Sequence, residues 1–203
     1  MPAVAPIADK TVSGAGCLIL ILGASGAGKD TLLSIAAEEL GQRADVHFLR
    51  RTITRPAHDQ SESFVSVTDA EFDHGLSTGA FCFYWQANGL RYGLPRDLVD
   101  RLERGEVVVV NGSRAACNDL KATFGCVKVV EIHVAPDVLT ERLRKRGREA
   151  AHEIEARVDR AERLSETNDA DLTIDNSGAA EIAGSEFARF IASQADEIAK
   201  HAQ

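Results

Sequence analysis

The segment Cys17-Leu-Ile-Leu-Ile-Leu22 is a continuous apolar run. It is too uniform for a half-exposed strand and too short for a buried helix, so it predicts a strand covered on both faces. Val107–Val110, after Glu106, repeats that signature; Val127–Val134 is again strand-like, and Val46–Leu49 and Leu172–Ile174 are short strand candidates. Helical patterns fall between them. One runs from Asp30 to Leu40 and stops at Gly41; others span about 96–104, 114–123, Pro136 to Lys145, 151–166 and 179–199. Buried strands alternating with helices predict an α/β fold, a parallel sheet with helices on both faces.

Residues 52–95 break the alternation. They are polar and turn-rich, with one short helix near 69–76 and an aromatic run at Phe81–Trp85. They read as an inserted lid. Residues 1–15 are rich in Ala, Pro, Gly and Ser without periodicity and read as a flexible tail. The expected organisation is therefore one domain over 16–203, carrying the insert.

Composition narrows the partners. The 203 residues are 44% hydrophobic, and a mean hydropathy of -0.14 suits a globular chain of one domain. No apolar run nears the roughly 20 residues of a membrane span. The start, Met1 to Asp9, lacks a basic segment leading into an apolar one, so a cytoplasmic chain is expected. Acidic residues outnumber basic ones by 31 to 23, giving a net charge of -8. That argues against nucleic acid and acidic membranes as partners, which want a basic footprint.

Small anions are not excluded, because two local clusters oppose the global sign. One holds Arg50, Arg51 and Arg55; the other holds Arg142, Arg144, Lys145, Arg146 and Arg148. Taken alone, such runs are ordinarily solvated faces. The four cysteines, Cys17, Cys82, Cys117 and Cys126, show neither a CxxC pair nor zinc-like spacing, and read as buried reduced thiols. None of the six histidines stands in a telling arrangement.

The strongest chemical signal is Gly23-Ala24-Ser25-Gly26-Ala27-Gly28-Lys29, which fits G-x-x-x-x-G-K between a buried strand and a helix. The glycines let successive backbone N–H groups turn inward onto phosphate oxygens, and the following helix adds its positive end. Lys29 adds a mobile point charge for the β- and γ-phosphates. This predicts a nucleoside triphosphate site, with ATP and Mg²⁺ as cofactors. Asp30 stands where Ser or Thr usually presents a hydroxyl to the metal, and Thr31 follows it. A carboxylate beside a triphosphate is tolerated with a cation between them, so Asp30 is the expected metal contact and Thr31 a secondary one. The strand at 107–110 ends in Asn111, where many phosphate-loop proteins carry an acid near the metal. Asp30 is read as taking over that duty; a helix-starting Asp that satisfies the dipole is the plain alternative.

Arg51-Thr-Ile-Thr-Arg55-Pro56, the insert, Tyr92-Gly-x-Pro95 and the arginine-rich 142–148 stretch together resemble the guanylate kinase superfamily. The resemblance covers about 17–190. It implies an insert closing over a phosphoryl acceptor and an arginine-bearing lid, at about 144–152, closing over ATP. The family's guanine-reading acids are matched here by Phe83 and Asn111, and a tyrosine that binds the acceptor phosphate is matched by Glu62. A phenylalanine cannot accept guanine N–H donors, so GMP is an unexpected acceptor.

Within that superfamily, three segments are similar to ribose 1,5-bisphosphate phosphokinases. They are the loop ending Gly28-Lys29-Asp30, the Trp85-to-Pro95 segment and Val109-Val-Asn-Gly-Ser-Arg114. The resemblance implies ATP-dependent phosphorylation of the 1-phosphate of a sugar bisphosphate, giving 5-phosphoribosyl 1-diphosphate in phosphonate catabolism. Such an acceptor is already ionised and needs no general base, so cations carry the reaction. Arg51 and Arg55 are then expected to hold acceptor phosphates, with Glu62, Gln86, Tyr92, Asn111, Ser113 and Arg114 around the sugar. Lys29, Arg142, Arg146 and Arg148 are expected to act on the transferring group, and Arg157 is a weaker candidate. Trp85 and Phe83 read as lid core. A nucleoside monophosphate kinase and a non-catalytic guanylate kinase-like binding module stand as alternatives, and a homodimer is compatible with the sequence.

Overall fold

The protein is described here by a computed structural model covering residues 5–6, 14–55, 64–147, 151–165 and 170–201. In chain order the elements are β1 (Ala5–Pro6), β2 (Cys17–Gly23), α1 (Lys29–Glu39), β3 (Val46–Leu49), β4 (Arg51–Ile53) and β5 (Phe64–Ser66). Then come α2 (Asp69–Ser77), β6 (Phe81–Ala87), β7 (Leu90–Pro95), α3 (Asp97–Glu103), β8 (Val107–Asn111) and α4 (Arg114–Thr123). The chain finishes with β9 (Val127–His133), α5 (Pro136–Arg146), α6 (Ala151–Ser165), β10 (Leu172–Asp175) and α7 (Ala180–His201).

Five strands form the expected parallel sheet in the order β10-β9-β2-β8-β3. The apolar run of β2 sits at its centre and divides between two cores. Ile19 and Ile21 pack toward α1, α5 and α7, whereas Leu18, Leu20 and Leu22 pack toward α3, α4 and the insert. Val107 and Val109 follow the first face and Val108 and Val110 the second. Each such side chain removed from water is worth roughly 1.5–3 kcal/mol, which is why β2 carries no polar side chain and β8 none before its last residue, Asn111. On the first face α1 and α7 approach closely: a methyl at Gly184 would lie 2.6 Å from Ile35 Cγ2.

The insert is a sheet in its own right, ordered β1-β6-β7-β4-β5. Ala5 and Pro6, within the stretch read as a flexible tail, pair antiparallel with Tyr84 and Phe83. The three-residue strands β4 and β5 were not visible as strands in the sequence, since three residues are too few to show a period. β6 and β7 form a hairpin through Asn88 (φ 51°) and Gly89 (φ 74°), the left-handed pair that a two-residue turn requires. Phe83 and Trp85 are completely buried between this sheet and the body, as expected for lid core. Helix α2 is closed at its start by Thr68 and Glu71, which cap each other's backbone N–H groups.

The cysteine expectation holds for two residues and fails for two. Burial pushes the Cys82 thiol up to about 12 and raises that of half-buried Cys117. Cys17 and Cys126, however, form a disulfide across adjacent parallel strands, with Cα atoms 4.8 Å apart. The register that pairs Leu18 with Val127 brings them together. A separation of 109 residues left no spacing signal in the sequence.

Among the described residues, no helix is long and apolar enough to cross a membrane.

Candidate functional site

The site lies where the carboxyl ends of the body strands meet the insert, as expected for a ligand crevice in a parallel sheet. A cleft of about 750 Å³ is lined there by Gly23, Ala24, Ser25 and Lys29 from the phosphate loop. Arg51, Arg55 and Tyr92 line it from the insert, and Asn111, Ser113 and Arg114 from the turn after β8. Among the described lining residues, Lys29, Arg51, Arg55, Arg114 and Arg157 are cationic, and only Glu153 is acidic. The protein's net negative charge is thus locally reversed.

The loop owes its shape to contacts beneath it. Lys29 Nζ donates to the carbonyls of Gly23 and Ala24, both at 3.0 Å, so the lysine spans the loop. Gly28 caps α1 with φ 89°, and no side chain caps that helix. Below it lies Asn176, just past β10 and 1% exposed. Its Nδ2 donates to the Ala27 carbonyl at 2.7 Å, and a methyl at Gly28 would lie 2.5 Å from that nitrogen. Asn176 is itself fixed by its backbone N–H donating to His133. The next residue, Ser177, accepts from Ala135 N–H and donates to Asp175, holding that carboxyl below the usual carboxylate range. Asn176 was missed in the sequence because a single asparagine after a strand has no pattern.

Arg142 approaches the same loop. Its Nη1 is buried without a hydrogen-bond partner among the described residues, and a methyl at Gly28 would lie 3.7 Å from it. Arg146 is exposed on the last turn of α5, beside Gly147. Arg144 and Lys145 are also exposed, the latter paired with Glu141 at 2.6 Å. The single expected cluster therefore divides by helix face. Arg148 lies outside the described residues, as does Glu62. The lid range of 144–152 is described only at its ends. From α6, Arg157 reaches the cleft, and so does Glu153, which the sequence reading did not name.

The insert side of the cleft is built on aromatic support. Buried Arg51 lies 5.4 Å from the centroid of the Tyr92 ring, which stacks on Trp85 at 5.0 Å with planes 8° apart. A guanidinium placed on an aromatic face in this way is held in plane, in the geometry that suits phosphate oxygens. Arg55 lies 5.8 Å from the Phe64 ring, and its own carbonyl accepts a hydrogen bond from Ser66 Oγ. Gln86 does not join them. It is exposed and outside the cleft lining, because alternation along β6 sends it away from the face that carries Trp85. Asn88 and Leu90, at the hairpin, take the place expected for it. The Asn-Gly dipeptide was the signal that could have located them.

Asp30 and Asn111, linked by hypothesis in the sequence, are adjacent: Asn111 Nδ2 donates to Asp30 Oδ1 at 3.3 Å. Thr31 is exposed on the first turn of α1. Among the described residues no cluster of three His, Cys, Asp or Glu could cage a metal. One carboxylate oxygen pair suits Mg²⁺, which keeps waters and binds substrate phosphates alongside one or two protein ligands.

A guanylate kinase family model matches residues 16–194. The chain is 46% identical over 168 residues to the ribose 1,5-bisphosphate phosphokinase of Agrobacterium fabrum, covering 82% of this chain and 91% of that one. It is 42% identical over 167 residues to the enzyme of the same name from Rhizobium etli, covering 82% and 84%. Among solved structures, guanylate kinase from Anaplasma phagocytophilum superposes with a TM-score of 0.61 at 17% identity, over 88% of this chain and 85% of that one. The phosphate loop, the inserted acceptor sheet and these matches agree: the chain belongs to the guanylate kinase family.

Proposed function

We propose that this protein transfers the γ-phosphoryl group of ATP to the 1-phosphate of ribose 1,5-bisphosphate, giving 5-phosphoribosyl 1-diphosphate and ADP. The observation that carries this reading is the 46% identity, over most of both chains, to a relative of that name. The cleft supports it physically. An oxygen of the acceptor's 1-phosphate attacks the γ-phosphorus, a new P–O bond forms, and the bond to the β-phosphate oxygen breaks. No proton has to leave the attacking oxygen, so the chain must supply opposing charge rather than a base.

Lys29 and the loop N–H groups address the donor phosphates, and Arg142, beside Gly28, follows the transferring charge. Arg146, Arg148 and Arg157 complete the donor side in this reading. Arg51 and Arg55 take the acceptor phosphates, because a guanidinium fork matches phosphate oxygens bidentately. Tyr92, Asn111, Ser113 and Arg114 face the sugar and its second phosphate. Phe83, fully buried, offers nothing to a guanine base. The need for ATP supports a cytoplasmic setting, and the product suits the phosphonate catabolism expected above.

Asp30 would hold Mg²⁺ at this site, and the ion would supply charge neutralisation to the donor phosphates. Asp30→Asn is expected to lower turnover by about 10²-fold at limiting Mg²⁺ and to shift the Mg²⁺ titration to higher concentration, in proportion to a lost electrostatic contact. An unchanged titration assigns Asp30 to the helix dipole alone. The substrate is tested by offering ribose 1,5-bisphosphate, GMP and other nucleoside monophosphates in a coupled ADP-release assay. Ribose 1,5-bisphosphate should be the preferred acceptor; comparable turnover of GMP rejects the proposal. Failure to bind ATP by calorimetry points instead to a binding module.

A further inference from the structure

Strand β9 carries one residue that its surroundings do not explain. Val129 and Val130 are buried and apolar, yet between Val130 and Ile132 stands Glu131, 4% exposed. It pairs in register with Leu22, the residue that precedes the phosphate loop, and shares the sheet face of Val129, toward α4. Arg114, the first residue of α4, donates through Nη2 to Glu131 Oε1. Arg114 Nε is buried with no hydrogen-bond partner among the described residues, while the side chain still lines the cleft.

Such a pair is not explained by stability. Two charges withdrawn from water recover their desolvation cost only with excellent geometry, and apolar replacements are often as stable or more so. What a buried carboxylate does give is orientation. A guanidinium with one nitrogen fixed cannot sweep through rotamers, so its remaining donors present one geometry to whatever enters the cleft. It also neutralises Arg114 locally. That makes Arg114 a shaped hydrogen-bond donor whose charge is offset by the carboxylate.

We propose that Glu131 is a positioning residue for acceptor specificity: from inside the sheet it fixes the Arg114 guanidinium in the acceptor wall. The inference rests on the acceptor reading given above and deepens it. It assigns the pair to the sugar end of the acceptor, where oriented donors discriminate and net charge does not.

The test compares wild type, Glu131→Gln, Arg114→Met and the double variant on ribose 1,5-bisphosphate, with KM measured separately for acceptor and ATP. Glu131→Gln keeps the shape and one acceptor oxygen but loses the charge. It should raise acceptor KM about tenfold, within the range that misplacing a contact by about 1 Å costs, and leave ATP KM within twofold. In the Arg114→Met background it should add less than twofold, because the residue it positions is gone. A merely structural role would instead lower the melting midpoint and move both KM values together. Acceptor KM unchanged in Glu131→Gln, or a full tenfold effect persisting in the Arg114→Met background, overturns the inference. If the Gln variant fails to fold, Glu131→Asp carries the same comparison, withdrawing the charge by one methylene. A wild type without turnover on this acceptor takes down the substrate reading and this inference together; an active wild type with an unmoved Glu131 variant takes down only the latter.

Discussion

In the proposed reading, the two sides of the cleft recognise phosphate by different means. On the donor side the recognising surface is mostly backbone, the loop from Gly23 to Gly28, shaped by glycine conformations and by Asn176 below. On the acceptor side it is side chains, Arg51 and Arg55, each lying over an aromatic ring. The cores behind them differ accordingly. Leu, Ile and Val fill the parallel sheet, whereas Phe83, Trp85 and Tyr92 fill the insert. Backbone recognition suits a ligand common to many enzymes, because it needs only a strand, a turn and a helix. Side-chain recognition suits a ligand that varies between them, since one substitution can alter it.

This contrast can be broken most severely at Gly28. Alanine there must adopt φ 89° and place its methyl 2.5 Å from Asn176 Nδ2. An L side chain in that region costs about 1–2 kcal/mol before any clash. ATP KM should rise at least about 10²-fold, the scale on which a misplaced contact acts, with acceptor affinity measured by calorimetry retained. Equal loss on both sides of the cleft would mean that the two are not separable. Arg51→Lys should do the reverse by a smaller factor. A lysine keeps the charge but neither stacks on Tyr92 nor forks onto phosphate, so acceptor KM should rise about tenfold, roughly one charge-assisted hydrogen bond, while ATP KM stays put. A proportional rise in both would place Arg51 on the donor side. The mildest change concerns the insert as a folding unit. Thr68→Ala removes one half of the capping box of α2. It should cost about 1 kcal/mol and lower the melting midpoint by about 2–4 °C, leaving both KM values unchanged. A shift in acceptor KM would show that α2 helps set the acceptor wall.

The same contrast explains what could be read in advance. The phosphate loop was legible because its chemistry is local: seven consecutive residues specify turn, charge and helix start. The parallel sheet was legible because its central strands, β2 and β8, buried on both faces, leave unbroken apolar runs. Gln86 was misplaced, since alternation gives two faces but does not say which one the body covers. Arg142 could not be separated from Arg146 until α5 was oriented against the loop. Asn176 and Glu131 were invisible for another reason. Each touches a partner elsewhere in the chain, Ala27 and Arg114, through a side-chain contact that exists only in the fold. Glu131 also lay inside a run whose apolar character drew attention from its one acid. The disulfide between Cys17 and Cys126 shares that cause.

Only Arg50 separates β3, the edge of the body sheet, from β4, where the insert begins, and only Arg96 separates β7 from α3, where the chain returns. The acceptor sheet therefore enters and leaves through two single-residue joints, apart from the short β1 strand that it borrows from the amino terminus. A lineage could exchange this cassette, Arg51 to Pro95, without disturbing the donor loop or its supports. The Asn111-to-Arg114 turn, and the body face that packs on Phe83 and Trp85, would have to be matched to the new graft. Substrate change in such a scaffold is a problem of one contiguous segment, one turn and the core face they share, and this is the economy by which one donor site can serve many acceptors.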